Sequence, residues 1–316
     1  MRSIPFSSLA DKVLTLYAPP MAAPATLRQM RQLFREFAET GVKRSYGLDE
    51  QAVAKWVSEH AQGESPRSPA RTESLLRCLS VVCVYAVKKG FLRQSPFDIK
   101  PLGRWVRPDS GPVRKVSPPR RKTIDEIVRL LRLLDREAAE GTWRAGRLQA
   151  LVNVYVYTGL RRDEALHILA ANVDLARLTL RIEPVGNWRP KTVRSARTIP
   201  LADPLAAVLS RWVPRCGSRW LFPGHRLKSP WSGGPGYKPI DAIRSAAERA
   251  GIPGTIWIKT FRVTDGTEGK RVLSPLEMQA LLGHADVETQ RWYDEEQVES
   301  LRPAMQRLAE LYTFGT

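Results

Sequence analysis

From about Ala25 to Thr40, Leu27, Met30, Leu33, Phe34 and Phe37 recur at intervals of three and four among polar residues, which predicts an amphipathic helix stopped by Gly41. The stretch "DEQAVAKWVSEHA" starts on Asp49, a good N-cap residue, and predicts a second helix. A third, from about Arg71 to Lys89, carries Leu75, Leu79, Val82, Tyr85 and Ala86. Leu76, Val81 and Cys83 extend its apolar surface around much of the circumference, as expected of a central buried helix. The first hundred residues therefore read as all-helical.

The pattern changes between Gly103 and Lys122. "GRWVRPDSGPVRKVSPPRRK" holds four prolines and seven basic residues against one acidic residue, Asp109, and reads as a linker. Helical spacing resumes at Thr123, where "TIDE" has the form of a capping box with Glu126 three residues on, followed by "IVRLLRLL". Further helices are expected at about Ala145 to Tyr157, after "TGL", and at about Leu201 to Val213, Ile240 to Ala250 and Leu276 to Leu282. Two short β-rich runs, "RLTLRIEP" and "RTIPL", flank "VGNWRPKTVRSA" and predict strands joined by a loop. The expected class is mainly α with a small β-sheet in the C-terminal domain. The expected division is a helical domain at 1–102, a basic Pro-rich linker at 103–122 and a second domain at 123–316.

Length agrees with two domains, since 316 residues is roughly twice the usual single-domain size. Charge changes the picture more. Fifty Lys and Arg against 32 Asp and Glu give a net charge of +18, which points to a polyanionic partner such as nucleic acid. An anionic membrane surface is the alternative, but no run of about 18 apolar residues is present. The first residues, "MRSIPFSSLADKVLTLY", have an interrupted apolar stretch and no small-residue cleavage pattern, so no signal peptide is expected. Cys78, Cys83 and Cys216 are odd in number with no C-x-x-C pair, which fits a reducing compartment. His60, His167, His225 and His284 are scattered, so neither a metal site nor a cofactor site is expected, and the first two show no partners. The glycine-rich "WSGGPGYK" lacks the G-x-x-x-x-G-K-[ST] pattern and reads as a plain loop. The expected location is the cytoplasm, in association with the nucleoid.

For the linker two readings stand: a solvated charge run, and a strap along a phosphate backbone. On the second, Arg114, Lys115, Arg120, Arg121 and Lys122 are the DNA contacts. Arg161 beside Arg162 fits a solvated basic face, and Tyr293 beside Trp292 fits half-buried packing. Glu164, three residues after Arg161, shares its helical face, and is either a carboxylate that orients Arg161 or one member of a surface pair.

Five stretches taken in order favour chemistry over those plainer readings. "YTGLRRDEALHI" (157–168), "RPKTVRSARTIPL" (189–201), "IKTFR" (258–262) and "LLGHADVETQRWY" (281–293) resemble the tyrosine recombinases, or phage integrase family. "ESPRSPARTESLLRCLSVVCVYAVKKGFLRQSPF" (64–97) resembles the core-binding domain that precedes the catalytic domain there. The resemblance covers essentially the whole chain. It implies a helical, SAM-like core-binding domain and a tyrosine-recombinase catalytic domain that together encircle duplex DNA.

Residue by residue, the resemblance makes Arg161 and Arg262 the catalytic arginines, Lys191 the hairpin lysine, His284 the late histidine and Tyr293 the nucleophile. Lys259 stands where histidine is commoner. After Arg262 the family continues as a regular helix, whereas "VTDGTEGKRVLSPLE" holds two glycines and a proline, which reads either as a rebuilt loop that preserves the site or as decay of the site; the flanking residue types favour the rebuilt loop.

The implied chemistry is coherent. Two arginines would clamp the non-bridging oxygens of a phosphorane-like transition state. The phenol, with an ordinary pKa of about 10, needs cations and a base, for which Lys259 and His284 are the candidates. Lys191 would protonate the leaving 5′-oxygen. The product is a 3′-phosphotyrosyl enzyme that a second strand can reseal without metal or ATP. By resemblance the partners are double-stranded DNA and three further protomers, identical or related, on two DNA sites. Two other readings remain open: a DNA-binding protein with an impaired site, and a type IB topoisomerase-like enzyme.

Overall fold

The first residues of the chain already form a helix. In the computed structural model, which describes residues 3–17, 24–61, 67–96, 121–190, 195–231, 238–282 and 295–313, α1 spans Phe6–Leu16. Sequence patterning assigned no helix there, although Phe6, Leu9, Ala10 and Val13 lie at helical spacing and all four are buried. The other helices of this unit are α2 (Pro24–Glu39), α3 (Glu50–Ala61) and α4 (Pro69–Lys88). On α4, Leu75, Leu76, Leu79, Val82, Cys83 and Ala86 are fully buried, which makes it the central helix that its all-round apolarity predicts. Burial pushes the Cys83 thiol up to about 12.

Two compact units divide the chain, residues 1–116 and 117–316. Most of the expected linker, including Arg114, Lys115 and Arg120, lies outside the described residues. One polar cluster organises the first unit. Glu36 is buried and accepts from Arg67 through both oxygens at 2.8 and 2.7 Å, from Gln32 at 2.9 Å and from the Trp56 indole at 3.2 Å. His60, which showed no partner in the sequence, stacks on Trp56 and sets Nδ1 2.9 Å from the Trp56 carbonyl oxygen.

In the second unit α5 (Ile124–Ala139) begins on the capping box read from "TIDE": Thr123 Oγ1 accepts from the Glu126 N–H, and the Glu126 carboxylate accepts from the Thr123 N–H. Next comes α6 (Trp143–Thr158), buried almost all round, then the short α7 (Arg162–Leu166). Three antiparallel strands follow in the order β1 (Val173–Asp174), β2 (Thr179–Ile182), β3 (Arg197–Pro200). Leu180 pairs with Ile199, and the buried Leu180 and Ile182 alternate with the exposed Arg181, as the two-residue strand period requires. The two-residue β1 was too short to read from sequence. The remaining helices are α8 (Asp203–Trp212), α9 (Pro239–Arg249), α10 (Ile258–Glu268), α11 (Pro275–Leu282) and α12 (Glu295–Thr313).

The expected rebuilt loop after Arg262 is not there. Helix α10 runs unbroken through Val263 to Glu268, and a 3-10 turn, Gly269–Arg271, leads to α11. Of the two glycines, Gly269 serves packing. A Cβ on Gly269 would stand 2.6 Å from Met278 Cε and 3.3 Å from Leu308 Cδ1, so residue 269 lets α10 end against α11 and α12. Helix α12 buries Ala304, Met305, Leu308, Ala309 and Tyr312 in the core of its own unit.

Candidate functional site

Helix α6 ends on Gly159 with φ +56°, and this left-handed turn delivers Leu160 into the core and Arg161 to the start of α7. Glu164 fixes Arg161. Its carboxylate is 2% exposed and accepts from Arg161 Nη1 at 2.7 Å and from the Arg161 backbone N–H at 3.1 Å. Arg161 itself keeps 34% of its side chain open. Of the two sequence readings of Glu164, the surface pair is excluded by this burial. A buried carboxylate holding both ends of an arginine limits the guanidinium to few orientations.

Arg197, at the start of β3, comes within 3.7 Å of the other Glu164 oxygen and donates to the Ser195 carbonyl at 2.9 Å. Sequence patterning did not single it out. An arginine at a strand end is an ordinary sight in a chain this basic, and only the fold sets it against Glu164.

Arg262 lies one turn into α10, three residues after the exposed Lys259 and on the same face. It donates through Nη1 to the Gly159 carbonyl at 2.8 Å and through Nη2 to the Leu282 carbonyl at 2.7 Å. Two of its five N–H groups are thus held by backbone, which fixes the plane of the fork. Burial, with Arg161 and Arg197 close by, pulls its guanidinium down to about 10, so it remains a cation at neutral pH. Arg161, Glu164, Arg197 and Arg262 therefore form one cluster around the Gly159 turn. Leu282, the carbonyl partner of Arg262, stands two residues before His284 in the sequence. Lys191, His284 and Tyr293 lie outside the described residues.

The two described residues at the end of the linker part company. Arg121 leaves 59% of its side chain exposed while pairing with Glu268 at 3.1 Å. Lys122 is buried, its ammonium donating to the Pro253 carbonyl and standing 3.5 Å from Glu126, so it ties α5 to the turn after α9. That placement argues against Lys122 as a phosphate contact.

Three further features went unread in the sequence. Arg28, Arg31 and Arg35 of α2, spaced three and four apart, are exposed on one face, and among the described residues no carboxylate pairs with them. Trp257, the N-cap residue of α10, is 58% exposed, with the Arg244 guanidinium 4.1 Å from its ring centroid. His167 stacks on Trp188 with ring centroids 4.6 Å apart and has Nδ1 2.7 Å from the Asp163 carbonyl oxygen. All three are visible as residue types but acquire meaning only from the placement of their neighbours. Among the described residues no three His, Cys, Asp or Glu side chains lie close enough to hold a metal ion, and no helix is long and apolar enough to cross a membrane.

Comparison with known proteins gives this cluster its setting. The family described as "Phage integrase family" matches residues 121–300. No curated protein matches the chain. Among solved structures, the Tn1549 transposon integrase in complex with circular intermediate DNA aligns with TM-score 0.67 and 13% identity, over 94% of this chain and 99% of that one. A lambda integrase fragment, solved as a dimer bound to a core site, aligns with TM-score 0.62 and 16% identity, over 92% and 98%. Lambda integrase solved as a tetramer on a Holliday junction gives 0.64 and 17%, over 91% and 80%. At these identities the structural likeness establishes the fold, a helical domain with a tyrosine-recombinase catalytic domain. Since the family match extends over more than half of its length, this chain belongs to the phage integrase family, the tyrosine site-specific recombinases.

Proposed function

We propose that the chain cuts and rejoins DNA at specific sites through a 3′-phosphotyrosyl intermediate formed by Tyr293, without metal or ATP. The observation that carries this reading is the Arg262–Gly159 bond: one arginine of α10 grips the turn that presents the other, and Glu164 orients that second arginine from below. Such a pair suits the two non-bridging oxygens of a phosphodiester whose negative charge grows in the transition state. Preserved regularity of α10 supports an intact site.

In this reading Arg161 and Arg262 clamp the phosphate and Lys259 adds positive charge at the exposed first turn of α10. Lys191 protonates the leaving 5′-oxygen, and His284 assists proton transfer to and from Tyr293. The net charge of +18 draws in the duplex, with Arg114, Lys115, Arg120 and Arg121 along its backbone. The lambda integrase structures hold a dimer on a core site and a tetramer on a Holliday junction. Four protomers on two DNA sites is the corresponding assembly for this chain.

The test is covalent trapping. Wild type and Tyr293→Phe are incubated with end-labelled, nicked duplexes from the DNA flanking the gene, then quenched in detergent. A protein-linked 3′-phosphate band with wild type and none with the variant is the expected result. Tight binding by both without any adduct would leave a DNA-binding protein. Relaxation of supercoils without joining of two DNA molecules would leave a topoisomerase-like enzyme.

A further inference from the structure

Three residues beyond Arg262, α10 carries an acid that the proposed chemistry does not use. Asp265 is fully buried. Its Oδ1 accepts a hydrogen bond from the phenol of Tyr312 on α12. Its Oδ2 is buried with no hydrogen-bond partner among the described residues. Burial pushes this carboxyl well above the usual carboxylate range, against the opposing pull of Tyr312 and Arg262.

An apolar residue would fill this place at less cost, because a buried carboxyl with one oxygen unbonded is unfavourable. What the carboxyl adds is contact in two directions, with the Tyr312 phenol and with the Gly159 turn. A Cβ placed on Gly159 would lie 3.0 Å from Asp265 Oδ2 and 2.5 Å from Leu282 Cδ2, so the carboxyl lies against the Gly159 backbone where only a glycine leaves room. Arg262 holds the carbonyl of that same Gly159. The turn leading to Arg161 is thus gripped by two residues of one helix, Arg262 by hydrogen bond and Asp265 by packing. Tyr312 fixes the rotamer of Asp265 from α12.

We infer that Asp265 is a positioning residue: its carboxyl, oriented by the Tyr312 phenol, sets the depth of the Gly159 turn and so the spacing of Arg161 from Arg262. This deepens the reading given under the proposed function and rests on it for the catalytic consequence. The role calls for shape and a hydrogen-bond acceptor for Tyr312, and not for a negative charge. A charged carboxylate at this point would offset part of the Arg262 charge meant for the phosphate.

The experiment uses the full chain as Asp265→Asn, Asp265→Ala and Tyr312→Phe. The rate of phosphotyrosyl formation on a nicked duplex, the Kd for that duplex and hydrogen exchange of the peptide covering residues 157–162 are measured together. Asn keeps the acceptor for Tyr312 and carries no charge. It is expected to cleave within about threefold of wild type, whereas Ala and the Tyr312 variant slow cleavage by about tenfold to a hundredfold at unchanged Kd. Exchange at 157–162 is expected to quicken in those two variants and to stay as in wild type for Asn. Wild-type rates in all three variants, or Asn as slow as Ala, would overturn the inference, the latter by showing that the charge itself is needed. Should wild type form no adduct, the enzymatic reading fails by itself, and the exchange pattern alone then decides whether Asp265 positions the turn.

Discussion

Arg262 donates to the carbonyl oxygen of Gly159 at 2.8 Å, and Gly159 precedes Arg161 by two residues, so the two arginines of the site share one backbone turn. That turn can be broken at its glycine. Gly159→Ala would place a methyl 2.5 Å from Leu282 and 3.0 Å from Asp265 at φ +56°, and about 3 kcal/mol of stability should be lost in urea denaturation. Gly186 has nearly the same φ, +57°, with nothing within 4 Å of its added Cβ, so Gly186→Ala should cost only about 1 kcal/mol. Equal losses at the two positions would mean that backbone strain, and not the crowding of the turn, sets the effect.

Glu164 is the other support of the site. With Glu164→Gln, Arg161 keeps one neutral acceptor and loses its charged partner, and Arg197 loses the nearby carboxylate. Removing one side of a buried charge cluster costs about 3 kcal/mol. Because DNA binding draws on many basic residues, Kd should change little while adduct formation falls by about tenfold to a hundredfold. A loss confined to Kd would show that Glu164 serves only the binding surface.

How much of this could be read from the residues alone differs by scale. The helices at 24–39 and 124–139 follow from apolar spacing, because an amphipathic face is written in a window of some 15 residues, while those at 69–88 and 143–158 read as apolar stretches too long for a strand. Arg161, Glu164 and Arg262 could be picked out as candidates from ordered motifs, and the fold brings the three together. Arg197, Asp265 and Tyr312 were not, since each gains its role from a contact across the fold, such as Tyr312 to Asp265 over 47 residues. The loop expected after Arg262 failed for a related reason. Gly266 and Gly269 read locally as breakers, but Gly266 lies within α10, where tertiary packing outweighs the roughly 1 kcal/mol a glycine costs a helix, and Gly269 only follows its end.

Asp265 also predicts a pH dependence of stability. Its carboxyl is raised in the folded state, so the folded protein binds the proton more tightly than the unfolded chain. Stability from this group is therefore fully present below the ordinary carboxylate pKa of about 4 and is lost as pH rises towards the folded value. Asp265→Asn removes that loss. Its Tm should match wild type near pH 4 and exceed it by a growing margin as pH rises, which scanning calorimetry at stepped pH will read. A margin that shrinks with pH would mean the carboxyl is stabilised as an anion.

The acid in the first unit should behave in the opposite sense. Burial pushes the Glu36 carboxyl up, but the Arg67 fork, Gln32 and the nearby His60 together hold it below the usual range. A depressed carboxyl contributes stability above its unfolded pKa, and that stability is lost as pH falls through the folded value. Glu36→Gln should cost about 3 kcal/mol at pH 7, and the difference from wild type should close at pH values below about 4. A pH-independent difference in denaturation midpoint would assign the effect to packing alone.

The stripe on α2 offers a test that needs no knowledge of the DNA site. Arg28, Arg31 and Arg35 are exposed on one helix face without carboxylate partners among the described residues, so a phosphate backbone laid along α2 could take all three. Each phosphate neutralised releases condensed counterions and contributes about 0.9 to the slope of log Kobs against log salt. Replacing all three by Ala should therefore flatten that slope by up to about 3 on an arbitrary duplex, and weaken binding most at low salt. The exposed positions make few packing contacts, so Tm should stay near the wild-type value. If affinity falls while the slope is unchanged, the three arginines do not touch phosphates, and the DNA-facing side of this unit lies on another helix.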